Sequence, residues 1–212
     1  MLKLSNLFFI ALFSIYILAC NTQQQDTPGE EVEEADETPE DTSKVEAYDP
    51  SDTVLNVNKA DINDRLKDHA MVVVITYLEM GEALMQDDME AAKARAEQLR
   101  EIMERSEHED MDLQQQVKTL YTNSAHVMQQ STRIILSAND ALTIRSAYSP
   151  MATAAYKLAK IADFKDENLY YQYCPQAFDG RGAYWLSRTE EANNPYDEGN
   201  ELQNCGEMVG KI

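Results

Sequence analysis

Basic side chains are scarce in this chain: 18 Lys and Arg face 38 Asp and Glu across 212 residues, for a formal charge of −20. Phosphate binding needs a basic surface, so nucleic acid is excluded as a general partner. There is no Gly-rich phosphate loop, no HExxH, no Gly-x-Ser-x-Gly elbow and no CxxC. Carboxylates abound, but abundance on an acidic surface does not identify a catalytic pair, and the chain reads as non-enzymatic. Long apolar runs are missing too, with one exception near the N-terminus.

That exception is Leu7 to Leu18, preceded by the single positive charge of Lys3. The run is about a dozen residues long, whereas a transmembrane helix needs roughly 20. It reads as a cleaved signal peptide over residues 1–19. Ile17-Leu18-Ala19-Cys20 resembles the lipobox of bacterial lipoproteins, which implies lipidation of Cys20 and attachment to a membrane. Several acyl chains on one residue hold firmly, since each buried CH2 contributes about 0.8 kcal/mol. Asn21 stands where lipoprotein families more often carry an inner-membrane retention aspartate, so the expected site is the outer membrane, on its periplasmic face.

Removal of Lys3 leaves 17 basic against 38 acidic side chains. Residues 21–54 hold twelve of those acids and only Lys44, together with Pro28, Pro39 and Pro50. Such a stretch buries too little apolar surface to offset the entropy of ordering it, and residues 20–58 read as an acidic disordered tether. A solvated spacer and a cation-collecting arm are both compatible with that composition.

Residues 59–212 are one domain's worth of chain. Ile62, Leu66, Ala70, Val73, Tyr77, Met80 and Leu84 recur every three or four positions, which predicts a helix ending near Gln86. Asp87-Asp88 caps a second helix through Ala92, Ala96, Leu99 and Met103. After a polar loop at 106–110, a third helix carries Leu113, Val117, Leu120, Val127, Ile134 and Ile135. A fourth follows Asn139-Asp140 through Leu142, Tyr148, Ala152, Ala155 and Ala159, and Pro150 should kink or divide it. The expected fold class is mainly α: an antiparallel four-helix bundle with a small C-terminal aromatic β-hairpin-like cap. The cap is read from the β-prone run 169–173, the turn Asp179-Gly180-Arg181-Gly182 and the apolar run 183–186.

The tail YCPQAFDGRGAYWLS, followed by NNPYDEGNELQNCGEMV, resembles the C-terminal signature of an uncharacterised domain family. That family occurs in bacterial lipoproteins and at the end of periplasmic adaptor subunits of copper and other heavy-metal efflux systems. The resemblance runs from about Ile62 to Met208, and its specific part is the order Cys-Pro, Trp-Leu-Ser, Asn-Pro-Tyr, Cys-Gly. It implies an accessory role in handling a soft metal such as Cu(I), with an efflux component as partner, and Cys and Met are suitable ligands. The chain departs from the pattern at Gln176, where the family has Met, and at Asp197-Glu198, where it has Phe.

With Cys20 taken by lipid, Cys174 and Cys205 are left as an even pair outside the cytoplasm. A disulfide is the simpler reading and would contribute roughly 3 to 4 kcal/mol in the chain-entropy model. The alternatives are a soft-metal site using both thiols, with Met208 as an auxiliary ligand, or a redox-switched combination of the two. His69, His108 and His126 have no partner at ligand spacing, and most of the methionines sit on helices as core fillers. Tyr173, Trp185 and Tyr196 are candidates for a ligand groove; the alternative is a small aromatic core joining cap to bundle. The two overall readings are a lipid-anchored soft-metal accessory and a disulfide-stapled interaction module with no metal function.

One outcome follows from the N-terminal residues alone. Cys20→Ala moves the protein from the membrane fraction to the soluble fraction; retention in the pellet through high salt and carbonate would sink the lipid anchor.

Overall fold

In the computed structural model the described residues are 62–105, 113–162, 164, 167–199 and 201–212. The signal peptide, Cys20, the tether, the 106–110 loop and His108 lie outside them. No helix among the described residues is long and apolar enough to cross a membrane.

The first, second and fourth helices begin where a polar side chain takes over a backbone donor that has no helical partner. Helix α1 (Asp64–Met85) starts at Asn63, whose side chain accepts from Leu66 N at 2.8 Å. It ends as Asp87 turns into the left-handed region at φ 56°, and Asp88 then caps α2 (Met89–Glu104) by accepting from Ala91 N at 2.9 Å. Helix α3 (Gln115–Ser137) has no side-chain cap. Asp140 starts α4 (Ala141–Tyr148), accepting from Thr143 N at 2.7 Å. Helix α5 (Met151–Ala162) follows directly, so Pro150 divides the fourth helical pattern in two rather than bending one continuous helix.

The apolar spacing read from the sequence is the buried face almost throughout. Leu66, Ala70, Val73, Tyr77, Met80 and Leu84 of α1, and Ala92, Ala96, Leu99 and Met103 of α2, are buried. Two positions depart from it. Ile135 is buried while Ile134 is 48% exposed: neighbouring helical residues point about 100° apart, and at this turn of α3 Ile135 is the one that faces the core. Leu142, in the first turn of α4, is 53% exposed. Helix α1 packs on α2 and α5, and α3 packs on α2, α4 and α5.

The cap is a three-stranded antiparallel sheet and not a hairpin alone. Strand β1 (Tyr170–Cys174) pairs on one side with β2 (Ala183–Ser187) and on the other with β3 (Glu207–Lys211), giving the order β2-β1-β3. Strand β3 escapes a sequence reading because Glu-Met-Val-Gly-Lys has neither alternation nor bulk. Backbone bonds hold it in place, among them the reciprocal pair between Leu169 and Ile212 at 3.1 and 2.9 Å. The link from β1 to β2 is tight, with Phe178 and Asp179 at φ 53° and 58° followed by Gly180 and Gly182 at 81° and 75°. Two successive non-glycine residues in that region cost roughly 1 to 2 kcal/mol each. Part of the offset is visible: the Phe178 ring packs 5.2 Å from that of Tyr196, and the Arg181 guanidinium lies over its other side.

Where α1 meets α4, Gly81 makes room for a phenol. A Cβ at position 81 would stand 2.3 Å from Tyr148 Oη, and Tyr148 is fully buried and stacked on Tyr77 at 4.6 Å. Gly81→Ala is therefore expected to destabilise the domain by about 1 to 3 kcal/mol despite its better helix propensity. Denaturant unfolding reads this directly, and a gain in stability would show that the Tyr77–Tyr148 stack is not held where we describe it.

Candidate functional site: the bridged cap and its arginine clamp

The tail motif's residues converge on one region because each has a distinct job in joining the sheet to the helices. Arg145 of α4 is 2% exposed, an unusual position for a guanidinium. Its Nε donates to Pro195 O at 3.0 Å, and its Nη2 donates to Leu84 O at 3.1 Å and to Asp87 Oδ1 at 3.0 Å. One side chain thus ties the C-terminal end of α1 to the Asn194-Pro195-Tyr196 segment. Asn194 continues the tie by accepting from Tyr196 N at 2.8 Å and donating to Cys205 O at 3.1 Å.

Cys174, at the end of β1, and Cys205, just before β3, have their sulfur atoms 2.11 Å apart, at disulfide distance, with Cα atoms 5.3 Å apart. Cys174 is fully buried and Cys205 half-buried. The residue after the bridge fits its place by lacking a side chain: a Cβ on Gly206 would come within 2.7 Å of the Trp185 ring and 2.9 Å of Ala192 Cβ. Trp-Leu-Ser and Cys-Gly therefore meet in space, with the indole lying against the glycine. Gln172 secures the loop after β2, its Nε2 donating to the carbonyls of Thr189, Glu190 and Glu191 at 3.0 to 3.3 Å.

The three candidate groove residues do not share a surface. Trp185 is fully buried and Tyr196 is 3% exposed; their rings stand edge to face at 6.0 Å, and Tyr196 Oη donates to Tyr184 O. Tyr173 lies on the other face of the sheet, where its ring packs 4.5 Å from Tyr184. From Trp185 the aromatic contacts run through Tyr196 and Tyr148 to Tyr77, linking cap to α1. Burial raises the phenol pKa values of Tyr77, Tyr148 and Tyr196 well above the ordinary value, and each is raised further by a neighbouring tyrosine.

As bridged, the two sulfurs do not fit a soft metal, because each is neutral and has lost the negative charge that makes a thiolate a strong ligand. Met208, opposite Gln172 on β3, is 48% exposed, and Gln176 presents an amide. Among the described residues, no three His, Cys, Asp or Glu side chains form a group that could hold a metal ion. The ring of His69 packs against that of Tyr121, and His126 meets the Gln130 amide at 2.9 Å on an exposed face. Met80, Met103, Met128 and Met151 are buried in the core.

Sequence reasoning missed Arg145, Gln172 and Asn194 as the polar connectors. A lone Arg on an apolar helix face carries a faint signal, since buried arginine is rare; Gln172 carries none. Comparisons of the chain with protein-family models, with curated proteins and with solved structures find no match.

The clamp makes a prediction about relative magnitudes. Arg145→Ala takes the guanidinium donors from the carbonyls of Pro195 and Leu84, the latter keeping its backbone bond from Asp87 N, and opens a cavity, so it should cost roughly 3 kcal/mol. Asp87→Asn keeps a hydrogen-bond acceptor at an 81% exposed position and a residue type that tolerates positive φ, so it should cost about 1 kcal/mol or less. Equal losses in thermal unfolding would mean that the ion pair, and not the carbonyl bonds, holds the cap.

Proposed function

We propose that this chain is a lipid-anchored, non-catalytic binding module that works outside the cytoplasm. Cys20 carries the anchor, the outer membrane receives it, residues 20–58 give reach on the periplasmic side, and residues 59–212 form the working domain. The observation that carries this reading is the Cys174–Cys205 pair at disulfide distance, because a bridge of that kind persists in an oxidising compartment. An exported chain and a bridged cap make the same demand on location from opposite ends of the sequence. Helices α1, α2, α3 and α5 contact one another in a closed ring, which supports reading the helical part as an antiparallel four-helix bundle with α4 as its kinked extension.

The tail motif's resemblance to the domain found in copper-efflux adaptors suggests a second reading, a soft-metal accessory acting near an efflux component. It is confined to a reduced form of the protein, in which Cys174 and Cys205 are thiols and Met208 stands close by in sequence. The bridged form serves the first reading only, as an interaction module whose cap is fixed to its helices.

Alkylation and mass spectrometry of the native exported protein separate the two. No free thiol, and Cu(I) bound appreciably only after reduction, is the expected result. Two alkylatable cysteines together with stoichiometric Cu(I), lost in Cys174→Ser or Cys205→Ser, would put the metal reading first.

A further inference from the structure

A groove of about 760 Å³ runs between α3 and α5, and one lining residue, Thr153, reaches the cap by a 3.4 Å hydrogen bond with Tyr171 Oη. Its volume is within the roughly 300–1,000 Å³ of small-molecule sites. In a chain of charge −20 its lining is unusual, since among the described residues no Asp or Glu borders it and the one charged residue is Lys157. No carboxylate among the described residues pairs with that lysine. The floor is apolar and built from Leu120, Val127, Pro150 and Ala154. Ser124 lies among them, 3% exposed, and its Oγ has no hydrogen-bond partner.

The charge and the apolar floor occupy different ends. The three-residue link after α3 turns the chain back on itself, and α3 packs on both α4 and α5. Lys157 therefore falls towards the Gln115 end of α3, beside the polar side chains of Gln116 and Thr119, and Pro150 falls towards Val127. Seven residues separate Lys157 from Pro150, about 10 Å along a helix. We infer that the groove binds a medium-chain apolar anion of the fatty-acid class, with its carboxylate at Lys157 and its hydrocarbon chain along Leu120, Ala154, Pro150 and Val127. The positive charge selects the sign of the head group, and exclusion of water by the floor sets the need for a chain.

Titration calorimetry of the purified exported chain with decanoate, decanol and decylammonium tests this. Decanoate should bind saturably with one site per chain, decanol about tenfold or more weaker, and decylammonium not measurably. Lys157→Gln should bring decanoate down to the level of decanol. Lys157→Glu should reverse the preference towards decylammonium, a change of sign that loss of folding cannot produce. Equal binding of all three, no saturable decanoate binding, or an unchanged preference in Lys157→Glu would overturn the proposal. So would concentration-dependent self-association that decanoate does not relieve, since the occupant would then be a second copy of the chain.

Discussion

The hydrogen bonds from Arg145 to two backbone carbonyls are the constraint on which the arrangement of cap and helices depends. The acceptors lie far apart in sequence, Leu84 in the last turn of α1 and Pro195 in the tail. Leu84 O also accepts from Asp87 N at 3.1 Å, so the guanidinium adds a second donor there, and Pro195 O takes its bond from Nε. Guanidinium suits the task because its N–H groups diverge in one plane, so a single side chain reaches both sites and keeps a further contact to Asp87. Lysine carries its charge at one point and could not span the same acceptors with the same geometry. The ion pair is secondary, since Asp87 is largely in water and its attraction is screened.

Around that node the cap is held by three kinds of contact acting at different places. The sulfur pair fixes β1 to the segment before β3, Asn194 fixes that segment to the Tyr196 turn, and the aromatic contacts from Trp185 to Tyr77 fill the space between sheet and helix. Several glycines and Pro195 occupy positions where a side chain or a backbone donor has no room or no use. Gly206 lies against an indole, Gly81 against a phenol and Gly182 beneath Tyr173, so the tail's special residues are explained by close approach as much as by turns. The aromatics that looked like groove material from the sequence are mostly consumed in making these approaches.

The helices were legible because their signals are local. Spacing of Ile62 through Leu84, the Asp88 and Asp140 caps and the break at Pro150 are each decided within a few residues, and the structure places its elements accordingly. Strand β3 was not legible, because an edge strand held by backbone bonds to β1 has no need of a distinctive side-chain pattern. Arg145 and Gln172 were illegible for a related reason. Their partners are carbonyls, which every residue carries, so nothing in the sequence marks where the bond will go. The cysteine pair is intermediate: its even number and its setting favoured a bridge, while its closeness in space came only from the register of the sheet.

In the cap, the Gln172 amide donates to three carbonyls, and Asn194 uses both its oxygen and its nitrogen. Trp185 Nε1 and Gln172 Oε1 lack partners there, but both are enclosed by packed side chains of the sheet and its loops. Ser124 Oγ, buried beside the α3–α5 groove, lacks a partner as well. The groove also escapes the acidic surface that the rest of the chain presents. A net charge of −20 repels anions in general, and a trough bordered among the described residues by one lysine and no carboxylate is where an anion meets local attraction. The two regions meet at Thr153, which lines the groove and bonds Tyr171 of the sheet, so the rigid cap also fixes one wall of the trough.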